Sequence, residues 1–174
     1  MNIYPSFTNA RSSASYKFSA LRMRALRDSF WAKLTGRNSK LTAFPEHAQR
    51  DRPNRKLVGV KDIRIDQIIG TLNRDCDFDN KFRPLGKHLL ERWVNIFAYL
   101  DPDGWEPILV HKIGEQYYVE DGHHRVSVAR SIEMFFIQAK VWEYTPAQSK
   151  RTADCAKLRC PESSPAKVRQ RVAG

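Results

Sequence analysis

A small α+β domain preceded by a basic helix is the fold class this sequence predicts, and three observations predict it. Apolar residues recur at helical spacing over 16–34 and again over 84–100. Short alternating runs follow, bounded by Gly, Asp and Pro, and these read as strands. In the central segment the order is strand, helix, β-hairpin, helix, strand, and no internal repeat interrupts it.

The elements follow in chain order. Residues 1–15 are Ser-, Asn- and Ala-rich without an acid and read as a disordered lead-in. Over 16–34, Phe18, Leu21, Ala25, Leu26, Phe30 and Leu34 form an apolar stripe, with Arg22, Arg24, Arg27 and Lys33 largely between them. Gly36 stops this helix. Its stripe can pack on the core, lie on an anionic membrane, or leave its charges to dock on phosphates. Residues 37–56 are polar, basic and Pro-containing, and read as a linker. Alternation of Val58, Val60, Ile63 and Ile65 gives a strand over 58–69, ending at Gly70. Residues 71–82 are a polar, acidic loop. Pro84 suits the first turn of a helix reaching about residue 100, whose buried face is Leu85, Leu89, Trp93, Ile96, Phe97 and Leu100. Asp101-Pro102-Asp103-Gly104 ends it. Strands over 108–113 and 116–120 flank Gly114-Glu115, which suits a tight hairpin. Val126, Val128, Ala129 and Ile132 fit a short helix, and 135–144 closes as a strand with Ile137, Ala139 and Val141 on one face. Residues 146–174, with Pro146, Pro161, Pro165 and scattered Lys/Arg, read as a disordered tail.

Charge is partitioned along the 174 residues. The net charge is +11, but residues 1–56 carry 12 Lys/Arg and 3 Asp/Glu, residues 57–145 carry 11 and 14, and residues 146–174 carry 7 and 2. The organisation is therefore a basic arm (1–56), a slightly acidic core domain (57–145) and a basic tail (146–174). A core of this charge does not attract a polyanion by itself, so nonspecific nucleic-acid contact is expected of the arms. No apolar run reaches the ~20 residues of a membrane-spanning helix. Three cysteines cannot pair completely, and Cys76, Cys155 and Cys160 lack zinc-ligand spacing. A reduced, cytoplasmic chain is the expectation.

Chemistry concentrates in Asp121-Gly122-His123-His124-Arg125, at the junction of the second hairpin strand with the following helix. The first amides of a helix have no intrahelical acceptor and sit at the positive end of the macrodipole. A glycine there lets a phosphate approach the backbone. His123, His124 and Arg125 add donors, Arg125 with a planar fork. The competing reading is structural: Asp121 caps the helix and the histidines are solvated or satisfied in the core. Zinc does not fit, because adjacent histidines diverge by ~100° on a helix and no third ligand is evident.

The run from Pro107-Ile108-Leu109-Val110 through Tyr117-Tyr118-Val119 to Asp121-Gly122-His123-His124-Arg125-Val126-Ser127-Val128-Ala129-Arg130 resembles the ParB/sulfiredoxin superfamily. Asp62-Ile63-Arg64-Ile65-Asp66-Gln67-Ile68 is similar to the first strand of a ParB N-terminal domain. The likeness covers about residues 57–144, and extends to bacterial ParB-like proteins with a basic N-terminal helix and an Asp-Phe-Asp loop. It implies that the turn from glycine to arginine binds nucleotide phosphates, with Gly122 as the shared glycine, His124 matching the sulfiredoxin histidine and Arg125 the shared arginine. His123 stands where a sulfiredoxin has its catalytic cysteine, which argues against sulfinic acid reduction. Only 30 residues follow residue 144, too few for the DNA-binding and dimerisation domains of a full ParB.

In this fold the acidic loop lies beside the phosphate turn. Arg74 can then pair with a phosphate, and Asp77 and Asp79 can hold Mg²⁺ with the phosphates or serve as base on an accepting hydroxyl, as an acidic residue does in the related free-serine kinases. The alternative is a solvated loop with Phe78 in the core. Three functions follow. The first is a nucleotide-binding ParB-like module, a nucleoside tri- or diphosphate with Mg²⁺ as ligand, with slow hydrolysis and nucleic-acid contacts through the arms. The second is an ATP- or ADP-dependent small-molecule phosphotransferase. The third is a non-catalytic protein-interaction module. The sequence does not specify the nucleotide base or the oligomeric state.

Overall fold

A computed structural model of the chain describes residues 7–50, 55–74, 76–99 and 104–144. The turn over 101–103 and the tail over 146–174 lie outside the described residues. The architecture is mixed α+β, as the sequence predicts.

Helix α1 spans Phe7–Leu34 and starts nine residues before the expected position at Tyr16. Tertiary contacts explain the longer helix. Ala14 and Phe18 are buried, and the Arg11 guanidinium donates to Asn95 Oδ1 (2.6 Å) and Glu91 Oε2 (3.2 Å). The polar sequence around Ser12 and Ser13 hides that anchoring. Arg22 Nε donates to the Leu85 carbonyl (2.8 Å), a second tie between the helix and the core.

Residues 37–50, the described part of the expected linker before Arg55, are not a linker. They form strand β1 (Thr42–Ala43) and the short helix α2 (Glu46–Arg50), with Leu41, Phe44 and Ala48 buried. The expected strand over 58–69 is two strands. Strand β2 (Lys56–Arg64) ends in a single 3-10 turn, Ile65–Gln67, and β3 (Ile68–Thr71) continues elsewhere in the sheet. The Arg130 side chain holds the crossing by donating to the carbonyls of Ile65 (3.1 Å) and Ile68 (2.6 Å). Pro84 does not open a helix; it bridges back to Phe78. A 3-10 turn, Lys87–Leu89, leads into α3 (Leu90–Ala98). The hairpin is β4 (Ile108–Ile113) and β5 (Gln116–Asp121), followed by α4 (His123–Ser131) and β6 (Phe136–Tyr144).

The six strands form one mixed sheet in the order β1-β3-β5-β4-β6-β2. β1 and β3, β3 and β5, and β4 and β6 pair parallel; β4 and β5, and β2 and β6, pair antiparallel. Gly70 is the residue that admits β1, because a Cβ there would stand 2.2 Å from the Thr42 carbonyl oxygen.

The main core joins the sheet to α1, α3 and α4 around Trp93. Its ring meets Phe18 edge-on (5.7 Å) and stacks on Phe97 (5.2 Å), and its indole N–H donates to Ser127 Oγ (3.0 Å). A second cluster is built on Phe44, Tyr118 and Tyr144. The Phe44 ring lies edge-on to His111, Tyr118 and Tyr144, all within 5.4 Å. Beneath it, buried His111 pairs with Glu120 Oε2 (2.5 Å) and Tyr144 Oη (3.0 Å).

Phe44→Ala is expected to lower unfolding stability by about 3 kcal/mol, since the buried ring leaves a cavity. Urea unfolding measures this. A linker residue would leave the midpoint where it is.

Candidate functional site

Gly122 makes the β5–α4 junction. Its φ is +99°, a left-handed conformation that favours glycine. An added Cβ would also stand 2.4 Å from Ile108 Cγ2. The glycine is therefore explained by the turn and by β4 behind it, with no ligand needed. Because Gly122 is the N-cap, no side chain caps α4, and the first bond of the helix is Val126 N–H to the Gly122 carbonyl (3.0 Å). The amides ahead of it have no intrahelical acceptor. Asp121 does not cap; it accepts from Arg125 Nη2 (2.9 Å).

The two histidines have different partners. His123 Nε2 lies 2.7 Å from Thr71 Oγ1. That oxygen also accepts the N–H groups of Asn73 (3.2 Å) and Arg74 (3.0 Å), and its hydroxyl has two acceptors in reach, the imidazole and the Val119 carbonyl (3.5 Å), of which the imidazole is the nearer. His123 is thus held within the fold. His124 is 7 % exposed, and its Nε2 is buried with no hydrogen-bond partner among the described residues. Both rings rest on Phe78: His123 near-parallel at 6.1 Å, His124 edge-on at 5.5 Å.

Burial is the main reason both imidazoles are pushed down to about 4. Cations add to it, Arg74 at His123, and Arg92 and Arg74 at His124. The positive potential comes from three elements: Arg74 from the loop after β3, Arg92 from α3 and Arg125 from α4 all line one slot with Ile96, Asp121, Gly122, His123 and His124. Arg92 was not singled out from sequence, where it looks like any exposed helix cation. The Arg125 side chain is mostly buried, donating to Asp121 and to the Glu106 carbonyl. The slot has about 20 Å³ for the centre of a water-sized sphere. That is room for one small group, whereas sites enclosing a whole drug-sized ligand run to ~300 Å³ or more.

The paired carboxylates of the loop separate in role. Asp77 does not line the slot but stands beside its Arg74, accepting from Arg74 Nη1 (3.1 Å) and lying 3.2 Å from His88 Nε2. Asp79 is buried. Its Oδ1 accepts the N–H groups of Lys81 (3.0 Å) and Arg83 (2.8 Å), and its Oδ2 accepts from Arg83 Nε (2.8 Å) and Nη2 (2.5 Å). Phe78, between them, is fully buried, as the structural reading of the loop expects. Among the described residues no group of three or more His, Cys, Asp and Glu could hold a metal ion.

Asp79→Asn is expected to cost ~2–3 kcal/mol by removing the charge partner of a mostly buried arginine. Asp77→Asn, at the rim, is expected to stay within about 0.5 kcal/mol. Melting temperatures of the two variants separate the roles, and equal values would put both acids at the surface.

The histidines set an acid limit on stability. A group with a folded-state pKa near 4 and an unfolded value near 6.5 takes up its proton preferentially when unfolded. Stability is therefore full above about pH 6.5 and falls as pH drops toward 4, by up to about 1.4 kcal/mol per pH unit for each histidine. His124→Gln is expected to flatten this slope by one histidine's share in urea unfolding across that range. An unchanged slope would mean that His124 titrates normally.

Comparison of the chain with protein-family models, with curated proteins and with solved structures finds no match in any of the three.

Proposed function

We propose that the first turn of α4 binds a phosphate group, and that the ligand is a nucleotide held by its phosphates in a ParB-like manner. One observation carries the reading. His124 Nε2 is a buried, unpartnered polar atom at a helix N-terminus, inside a slot lined by Arg74, Arg92 and Arg125. An unmet buried donor or acceptor costs about 1–3 kcal/mol, and a phosphate oxygen meeting an Nε2–H would relieve it. The free amides of α4 and the three guanidinium groups supply the rest of an anion site. The slot admits about one water-sized group, so a phosphate would place an oxygen in it and leave the rest of the nucleotide outside, towards Ile96 and the rim. The matching Gly122, His124 and Arg125 of the ParB/sulfiredoxin resemblance point the same way, while His123, bonded to Thr71, serves through its backbone N–H.

A phosphotransferase is the second reading, and the placement of Asp77 favours it. Its carboxylate stands beside Arg74 at the rim, where it can join Mg²⁺ arriving with nucleotide phosphates or accept a proton from a hydroxyl. Asp79 has no comparable freedom, since Arg83 and the loop amides occupy both of its oxygens.

Thermal shift with CTP, ATP, ADP, GTP and pyrophosphate, each with and without Mg²⁺, tests the proposal, since binding to the native state raises its apparent stability. Arg92→Ala is expected to weaken nucleotide binding by about 1.5–3 kcal/mol in calorimetry. His124→Phe, which keeps a buried ring but removes Nε2, is expected to weaken nucleotide binding by about 1–3 kcal/mol. No shift with any of these ligands would overturn the reading. Equal affinity in that variant would remove His124 from contact.

A further inference from the structure

Helix α1 has two apolar faces, and the core uses one. Ala14, Phe18 and Ala25 are buried, with Leu21 packed beside them. On the far side Tyr16, Met23 and Phe30 recur every seven residues, and their exposures are 79, 63 and 65 %. Leu34 (68 %) and Leu26 (37 %) fall along the same side, and Trp31 (55 %) borders it, its ring edge-on to Phe30 at 6.2 Å. The stripe over 16–34 is about 27 Å long at 1.5 Å per residue. A row of exposed apolar side chains of that length on a folded domain marks a contact surface.

We propose that this face of α1 docks on the surface of an anionic lipid bilayer. Charge complementarity selects that partner. Arg24, Arg27 and Lys33 emerge within and beside the stripe, and Arg37 follows its end. Asp28 is the sole acid of α1, and Arg83 holds it (2.9 Å) on the side of the core. A second copy of the chain would bring only further cations to the seam, and like charges brought together oppose association. The tail over 146–174, with 7 Lys/Arg and 2 Asp/Glu, is repelled in the same way. A nucleic acid would satisfy the cations but leave Met23, Leu26 and Leu34 without an apolar partner. An anionic bilayer meets both needs: the aromatic and aliphatic side chains enter the boundary between headgroups and acyl chains, and the long basic side chains reach the lipid phosphates. The helix lies on the bilayer and does not cross it, for no helix among the described residues is long and apolar enough to span.

Co-sedimentation of the full chain with vesicles of phosphatidylcholine, alone or mixed with phosphatidylglycerol, tests the proposal. Binding is expected to the mixed vesicles at low salt and to weaken as salt rises. Phe30→Ser with Trp31→Ser is expected to lower the partition coefficient about tenfold or more, through lost apolar burial. Arg24→Gln with Arg27→Gln is expected to lower it by roughly fivefold per charge removed. These side chains are exposed, so far-UV circular dichroism and the melting temperature should match wild type. Brominated lipid is expected to quench tryptophan fluorescence, and Trp31→Phe to remove that quenching while binding persists. The proposal is overturned by equal binding to neutral vesicles. It is also overturned if the Phe30/Trp31 variant binds as wild type, if an oligonucleotide at low salt takes up the protein in preference to vesicles, or if light scattering gives a dimer that this variant dissolves. None of these outcomes bears on the phosphate slot, which nucleotide calorimetry reads separately.

Discussion

The Phe78 side chain is the constraint on which the candidate site depends. Its ring is fully buried and touches both histidines of α4 as well as Phe82. An aromatic wall of this kind fixes ring orientation and excludes water, and exclusion of water is the main reason both imidazoles are neutral. Phe78 is in turn held by the turn built on Asp79 and Arg83, whose ion pair satisfies the backbone of residues 81 and 83. The chain of cause runs from a buried salt bridge, through a loop aromatic, to an unpartnered nitrogen at a helix start. The loop and the helix are one unit, although some forty residues separate them.

What was legible in the sequence divides along contact range. The hairpin around Gly114 and the Gly122 junction were readable because a two-residue turn and a left-handed glycine are local requirements. So was the buried face of β6, where Ile137, Ala139 and Val141 alternate with polar residues. β1 was not, because two residues carry no period. It exists through pairing with β3 and through Phe44 filling the cluster with Tyr118 and Tyr144. The split of 58–69 into β2 and β3 was hidden because apolar alternation continues across Ile65 and Ile68. Arg130, more than sixty residues away, marks where the chain leaves the β2 edge of the sheet for the interior position of β3.

The site itself was legible as a position and much less so as a set of roles. Asp121-Gly122-His123-His124-Arg125 reads identically whether its histidines face solvent, the core or a ligand. Thr71 decides for His123, since its hydroxyl oxygen lies 2.7 Å from the ring and holds it within the fold. His124 has no such partner among the described residues, and the proposed phosphate contact rests on that. The same holds for Asp77 and Asp79, equal in sequence and separated by Arg83. Arg92 joined the site through the packing of α3 on α4, which no local pattern encodes.

The two faces of α1 show how one helix can serve both the fold and a contact. Arg11 and Arg22 are bound to α3 and to the Leu85 carbonyl, so part of the arm's positive charge is structural. The inward face is small, Ala14, Phe18 and Ala25, which brings α1 close to Trp93. With packing satisfied there, Met23, Phe30 and Leu34 contribute nothing to the core. Their exposure costs solubility, an effect the neighbouring arginines offset. A sequence under pressure for solubility alone would place polar residues at these positions. Retaining an apolar seam beside a basic rim is chemically consistent with a surface that is both greasy and anionic, and inconsistent with an arm whose only work is to neutralise phosphates.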